Sequence, residues 1–125
     1  MDTQDVVVPR TQLPELLPRI RAVAERSGLH IISFGHAGDG NVHVCIVKDV
    51  PEELWQAKRP QAAEEIYRLA VSLGGFVTGE HGIGLTRKKF LSLGLDFAQI
   101  ELMRQLKEDF DPRYLLNPGK IFPER

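Results

Sequence analysis

Short apolar runs alternate along this chain with longer stretches in which apolar residues recur every three or four positions. That alternation predicts strands interleaved with helices. Val6-Val7-Val8, closed by Pro9, reads as a first strand. Leu13, Leu16, Leu17, Ile20, Val23 and Ala24 form a helical stripe. Thr11 suits the helix cap, Pro14 its first turn and Gly28 its end. Pro18 fits poorly inside it, because proline lacks an N–H and crowds the preceding turn. His30 to Phe34 and Val42 to Val47 read as strands two and three, with the turn residues Gly38-Asp39-Gly40-Asn41 between them. A second helix carries Ala63, Ile66, Leu69, Ala70 and Leu73 on one face, is surest after Pro60, and stops at Gly74-Gly75. Phe76-Val77-Thr78 reads as a fourth strand. A loop with Gly79, Gly82 and Gly84 follows, and Thr86 suits the cap of a short helix holding Phe90 and Leu91. Asp96 opens a last helix, with Ile100, Met103, Leu106 and Phe110 expected to face inward and Pro112 to stop it.

The order is βαββαβ with additional C-terminal helices. It predicts an α+β, ferredoxin-like fold in which helices cover one face of an antiparallel sheet. The other face is left for a partner or for the tail. At 125 residues the chain fits a single domain, 1–125, with room for a hydrophobic core. Sixteen Lys plus Arg against seventeen Asp plus Glu give a net charge of −1, which argues against a dedicated nucleic-acid binder. The single cysteine, Cys45, excludes a disulfide within the chain. No apolar run approaches the ~20 residues of a membrane span, and no charged-then-apolar leader opens the chain. The inventory predicts a soluble, intracellular domain.

Three stretches carry candidate chemistry. In the first, Gly35-His36-Ala37-Gly38-Asp39-Gly40-Asn41-Val42-His43, a two-residue turn at Asp39-Gly40 would pair residues whose numbers sum to 79. His36 would then sit directly opposite His43, on the same face, and the two imidazoles could hold one divalent metal. The competing reading is a tight hairpin with two partly exposed histidines. In the second, Gly79-Glu80-His81-Gly82-Ile83-Gly84, strand alternation points Glu80 and His81 to different sides. Glu80 can be a third metal ligand while His81 approaches a substrate. Two histidines, one carboxylate and an open position suit a catalytic zinc-type site. The competing reading is a glycine-rich loop with a surface charge and a histidine capping the core. The third stretch, Leu116-Asn117-Pro118-Gly119-Lys120, can set an amide and an ammonium against a cofactor, although such a composition ordinarily marks a surface turn. Trp55 reads as packing, Arg87-Lys88-Lys89 as a solvated helix start, Cys45 as a small buried side chain and His30 as structural.

The runs FGHAGDGNVH (34–43), GEHGIG (79–84) and LNPGK (116–120) resemble the C-terminal domain of the FAD-linked oxidases. That family includes glycolate oxidase FAD-linked subunits, D-lactate dehydrogenases and D-2-hydroxyglutarate dehydrogenases. The resemblance spans nearly the whole chain, with its entry at Asp5 to Pro14. It implies that His36, His43 and Glu80 bind a divalent metal, zinc or manganese or iron, and that His81 is the catalytic base. It also implies that Asn41 contacts substrate and that Asn117 approaches the flavin. The implied reaction oxidises a small 2-hydroxy acid to a 2-oxo acid. The metal would acidify the substrate hydroxyl, His81 would take its proton, and FAD would accept the hydride. Some relatives carry an Asn substrate contact two residues after the second histidine. Cys45 stands there, which argues against a 2-hydroxyglutarate-type site.

The resemblance further implies an FAD-binding domain outside this chain, other oxidase subunits as partners, and no nucleic acid. The expected location is cytoplasmic, with membrane association through partner subunits. The chain is expected to be the C-terminal part of a larger enzyme and inactive alone. Its exposed partner-facing surface is expected to promote homo-oligomers. The alternative is a stand-alone metal-binding or interaction module without redox activity. Metal-assisted hydrolysis is a weaker third reading, since no further nucleophile motif supports it.

Overall fold

In the computed structural model, which describes residues 1–123, three strands and four α-helices follow one another. They are β1 (Asp2–Val7), α1 (Leu13–Ser27), β2 (Ile31–His36), β3 (Asn41–Ile46), α2 (Glu52–Ser72), α3 (Leu91–Gly94) and α4 (Phe97–Phe110). The fold is α+β. The strands form one antiparallel sheet in the order β1-β3-β2, so β3 is central, and every one of its residues is buried. Helices α1 and α2 pack on each other, with α2 against β1 and α1 against β2.

The closing strand of a ferredoxin-like sheet does not form among the described residues. Phe76-Val77-Thr78 keeps one bridge, Phe76 to Val7, and leaves the ladder. Two local causes account for this. Gly75 comes so close to β1 that an added Cβ would lie 2.0 Å from the Val7 carbonyl oxygen. Immediately afterwards, the N–H groups of Gly79, Glu80 and His81 turn to the Asp5 carboxylate, so they are not available to a strand.

Strand alternation separates two chemistries. Val6, Val42, Val44 and Ile46 join Leu16, Ile20, Val23, Ile66, Tyr67 and Ala70 in the core beneath the helices. The opposite face carries Thr3 and Asp5 from β1, Asn41, His43 and Cys45 from β3, and Ile32, Phe34 and His36 from β2. Among the described residues no helix covers Ile32 and Phe34, which are 45% and 58% exposed.

The helices show where pattern and structure part. Helix α1 begins at Leu13 without a side-chain cap, so Thr11 does not serve, but Pro14 lies in its first turn and Gly28 ends it in the left-handed conformation at φ 68°. Pro18 is accommodated within α1, and Pro60 lies within α2, which starts as early as Glu52 and buries Trp55. The short helix near Phe90 is likewise uncapped, its 3₁₀ turn starting at Lys88 rather than at Thr86. Asp96 caps α4 as expected: its carboxylate accepts from the Gln99 N–H, and the Gln99 side chain accepts from the Asp96 N–H. The α4 stripe, however, does not all face inward. Ile100 is buried, whereas Leu106 and Phe110 are 50% and 85% exposed. No helix among the described residues is long and apolar enough to cross a membrane.

Candidate functional site

The β2–β3 turn is wider than a two-residue hairpin. His36 pairs with Asn41 and Phe34 with His43, so facing numbers sum to 77 and not 79. His36 therefore lies diagonal to His43 and not opposite it. A displacement of two preserves the face, because side chains alternate with a period of two. The reason for the wider loop is its anchorage on β1. The Gly40 carbonyl accepts from the Val8 N–H at 3.0 Å. Gly40 sits at φ 75°, where a Cβ would lie 2.0 Å from the Val8 carbonyl oxygen. Both imidazoles still meet: their ring centroids are 5.5 Å apart and perpendicular.

The glycine loop after Phe76 brings two more groups. Glu80 Oε1 lies 3.1 Å from His43 Nε2 and 3.5 Å from His36 Nε2. Ligand atoms of His36, His43 and Glu80 all lie within 4.8 Å of one another. His81 stacks on His43, with centroids 4.9 Å apart and planes only 10° from parallel. Its Nε2 is 3.8 Å from Glu80 Oε1. His43 is 8% exposed at its side chain, whereas His36, Glu80 and His81 are 56%, 51% and 42% exposed. The cluster thus has a buried root at the central strand and an open outer side.

Behind His43 lies a residue that pattern reading did not single out. Asp5 is the strand partner of His43 and is fully buried. Its Oδ2 accepts from the Thr78 hydroxyl at 2.7 Å and from the N–H groups of Gly79, Glu80 and His81 at 2.8, 2.9 and 2.8 Å. Its Oδ1 accepts from the Asn41 amide at 2.7 Å and lies 3.5 Å from His43 Nδ1. Burial pushes this carboxyl up, but the Asn41 amide, the His81 and Glu80 N–H groups and the Thr78 hydroxyl outweigh it and hold it well below the usual carboxylate range. The available signal was an acid directly before the Val6-Val7-Val8 run; its meaning required the β1–β3 register.

Asp5, His43 and His81 form a second group whose ligand atoms lie within 4.8 Å of one another. Asn41 is buried at the root of the site, its amide nitrogen given to Asp5 and to the Val6 carbonyl and its Oδ1 without a partner. Gly79 packs against that amide so closely that a Cβ would fall 1.8 Å from Asn41 Nδ2. Cys45 is buried on the same face, with Sγ 3.3 Å from the Thr3 hydroxyl. Asn117 lies in an exposed turn at φ 47°. No hydrogen bond or ion pair joins its side chain to the histidine cluster among the described residues. The tail does return to the glycine loop, however: the Ile121 N–H donates to the Gly84 carbonyl at 2.7 Å.

Comparison with known proteins gives a consistent picture. Residues 1–121 match the family described as FAD linked oxidases, C-terminal domain. The chain is 40% identical over 119 residues to the glycolate oxidase subunit GlcD of Bacillus subtilis, covering 95% of this chain and 25% of that protein. It is 41% identical over 121 residues to a D-lactate dehydrogenase of Archaeoglobus fulgidus, covering 97% of this chain and 26% of that protein. It is 37% identical over 120 residues to the mitochondrial D-lactate dehydrogenase [cytochrome] 1 of Saccharomyces cerevisiae, covering 96% and 20% respectively. The chain therefore spans about a quarter of the length of these relatives.

Proposed function

This chain belongs to the C-terminal domain family of the FAD-linked oxidases, and from that premise we propose that it forms the substrate-side half of a 2-hydroxyacid dehydrogenase of glycolate or D-lactate type. The observation that carries the reading is the convergence of His36, His43 and Glu80 on one point, with His81 stacked alongside. The donor set fits a divalent cation. With its proton on Nδ1, His43 presents a lone pair at Nε2, and the facing Glu80 oxygen at 3.1 Å is also an acceptor. In that tautomer a cation would satisfy both acceptors; with the proton on Nε2 the same contact is a hydrogen bond. Two imidazoles and a carboxylate with an open side suit zinc, and nitrogen and oxygen donors also suit manganese or iron. Such a cation would supply Lewis-acid polarisation of a substrate hydroxyl and carboxylate. FAD would supply the two-electron acceptor, held chiefly by the parts of the longer protein that lie outside this chain.

The residues of the chain divide the remaining work. His36, His43 and Glu80 would hold the metal. His81 Nε2, 3.8 Å from Glu80 Oε1, would take the hydroxyl proton of the 2-hydroxy acid. His43 holds the His81 ring in a fixed plane through their stacking. Asn41 supports the site from within: its nitrogen is committed to Asp5 and the Val6 carbonyl, and its unpartnered Oδ1 is buried, so a substrate reaches it only if the side chain moves. Asn117 would approach the flavin from the C-terminal turn.

The test uses the full-length protein and this chain side by side. Zn²⁺ and Mn²⁺ titrations should show one site per chain, with affinity reduced more than ~10-fold by His43→Ala or Glu80→Gln. Full-length protein with FAD should oxidise glycolate or D-lactate, and His81→Gln should lower kcat while metal stays bound. Metal binding without oxidation of any 2-hydroxy acid by the full-length protein would turn the reading to a metal-binding module. Absence of metal binding in both would defeat the metal reading.

A further inference from the structure

We propose that Asp5 is the positioning residue of this cluster: its buried carboxylate clamps the loop that carries Glu80 and His81, and it holds the Nδ1 proton of His43 so that Nε2 faces Glu80. The proposal deepens the metal reading above and rests on it.

Consecutive N–H groups that converge on one point form a nest, an arrangement that usually grips an external anion. Here the anion is built into the protein. The N–H groups of Gly79, Glu80 and His81 all point at Asp5 Oδ2, a residue more than 70 positions earlier. The Thr78 hydroxyl completes the set. One oxygen of β1 therefore sets the backbone of the two loop residues with the most chemistry. It does so from a position with no solvent exposure, where each charged hydrogen bond is stronger than at a surface.

The other oxygen faces His43. Asp5 and His43 are directly opposed in the β1–β3 ladder, and Oδ1 lies 3.5 Å from Nδ1. Nδ1 is buried and has no hydrogen-bond partner of its own. At 3.5 Å the contact is longer than a formed bond, so holding the proton requires the ring to move closer to Oδ1. The Asn41 amide, donating to Oδ1 at 2.7 Å, keeps that oxygen in place. A carboxylate behind a ligating imidazole fixes its tautomer and raises its basicity, and loss of such a partner typically costs ~10–100-fold in metal affinity. Because one carboxylate serves both the loop and His43, ligand positions from β3 and from the loop are set together.

The assignment discriminates between two metal geometries. If His43 binds through Nε2, the metal sits with His36 and Glu80. If it binds through Nδ1, the metal sits with Asp5 and His81. Long-range ¹H–¹⁵N NMR on the chain loaded with Zn²⁺ reads this directly. We expect a coordinated Nε2 and a protonated Nδ1; a coordinated Nδ1 overturns the proposal. Asp5→Asn, measured by Zn²⁺ titration, should lose ~10–100-fold in affinity. Thr78→Val, which removes one loop contact and leaves the His43 contact, should change affinity less than ~3-fold. Equal losses in the two variants would overturn the His43 role. Should Asp5→Asn not fold, the wild-type spectrum still decides. Should wild-type bind no Zn²⁺, the metal reading fails by itself. The metal-free spectrum then judges Asp5, since a bare Nδ1 on His43 refutes its role and a protonated one supports it.

Discussion

Replacing Gly79 by alanine should loosen the candidate site through a single atom. Its backbone does not need a left-handed conformation, so the effect is steric. An added Cβ would lie 1.8 Å from Asn41 Nδ2 and 2.7 Å from Asn41 Cγ. The Asn41 side chain can yield, but only by giving up its bonds to Asp5 at 2.7 Å and to the Val6 carbonyl at 3.2 Å. Losing a hydrogen bond to a buried charge costs about 1.5–3 kcal/mol, and enduring the overlap costs about 1–3 kcal/mol. Whichever route relaxation takes, we expect roughly 2 kcal/mol of destabilisation, equivalent to about 6–10 °C in Tm for a chain of this size. Gly38→Ala is the control, since nothing lies within 4 Å of its Cβ position. Urea denaturation of the two variants beside wild type is the assay. If Gly79→Ala costs no more than Gly38→Ala, the close approach of loop and amide is wrong. Zn²⁺ titration of the same variant should show weakened binding, because the displaced amide no longer holds Asp5.

Three further outcomes follow from other parts of the structure. The buried Tyr67 hydroxyl donates to Gln4 Oε1 and accepts from Arg87 Nε; Tyr67→Phe should cost about 1–3 kcal/mol by urea denaturation, yet leave metal affinity intact because it lies on the helix side of the sheet. The Lys107 ammonium beside Asp111, with the Leu116 and Leu115 N–H groups, holds the Asp111 carboxyl below the usual range. Its folded pKa is depressed, so its support of the C-terminal turn is present above the ordinary carboxylate pKa of about 4 and is lost as pH falls through the folded value. The protection of the Leu115 and Leu116 amides, taken relative to their intrinsic exchange rates, should fall in acid, and Asp111→Asn should abolish that dependence. Leu106, Phe110, Leu115 and Leu116 are 50%, 85%, 63% and 63% exposed, so the isolated chain should self-associate. Leu106→Lys with Phe110→Ser should shift it toward monomer in light scattering, and a concentration-independent monomer for wild type would contradict this.

Much of this protein was legible in the residue order alone. The apolar spacing marks α1, α2 and the two strands of the hairpin, because burial imposes a period of 3.6 or 2 on any element with one covered face. The clustering of His36, His43, Glu80 and His81 was legible in part, since two glycine-rich runs carry the imidazoles and the carboxylate and strand alternation puts His36 and His43 on one face. The shared face of His36 and His43 survived an error of two in the predicted register because alternation has the same period, whereas Glu80 and His81, expected on different sides, both come to His43. What the sequence could not decide was anything that depends on segments far apart in the chain. The fourth strand is lost because the N–H groups at 79–81 prefer a carboxylate on β1, and no local pattern records that competition. The outward aim of Leu106 and Phe110 depends on which side of α4 meets the core. Asp5 has the same character. In the sequence it is one acid beside a valine run; in the folded chain the β1–β3 ladder sets it opposite His43, and its carboxylate gathers the N–H groups of the glycine loop.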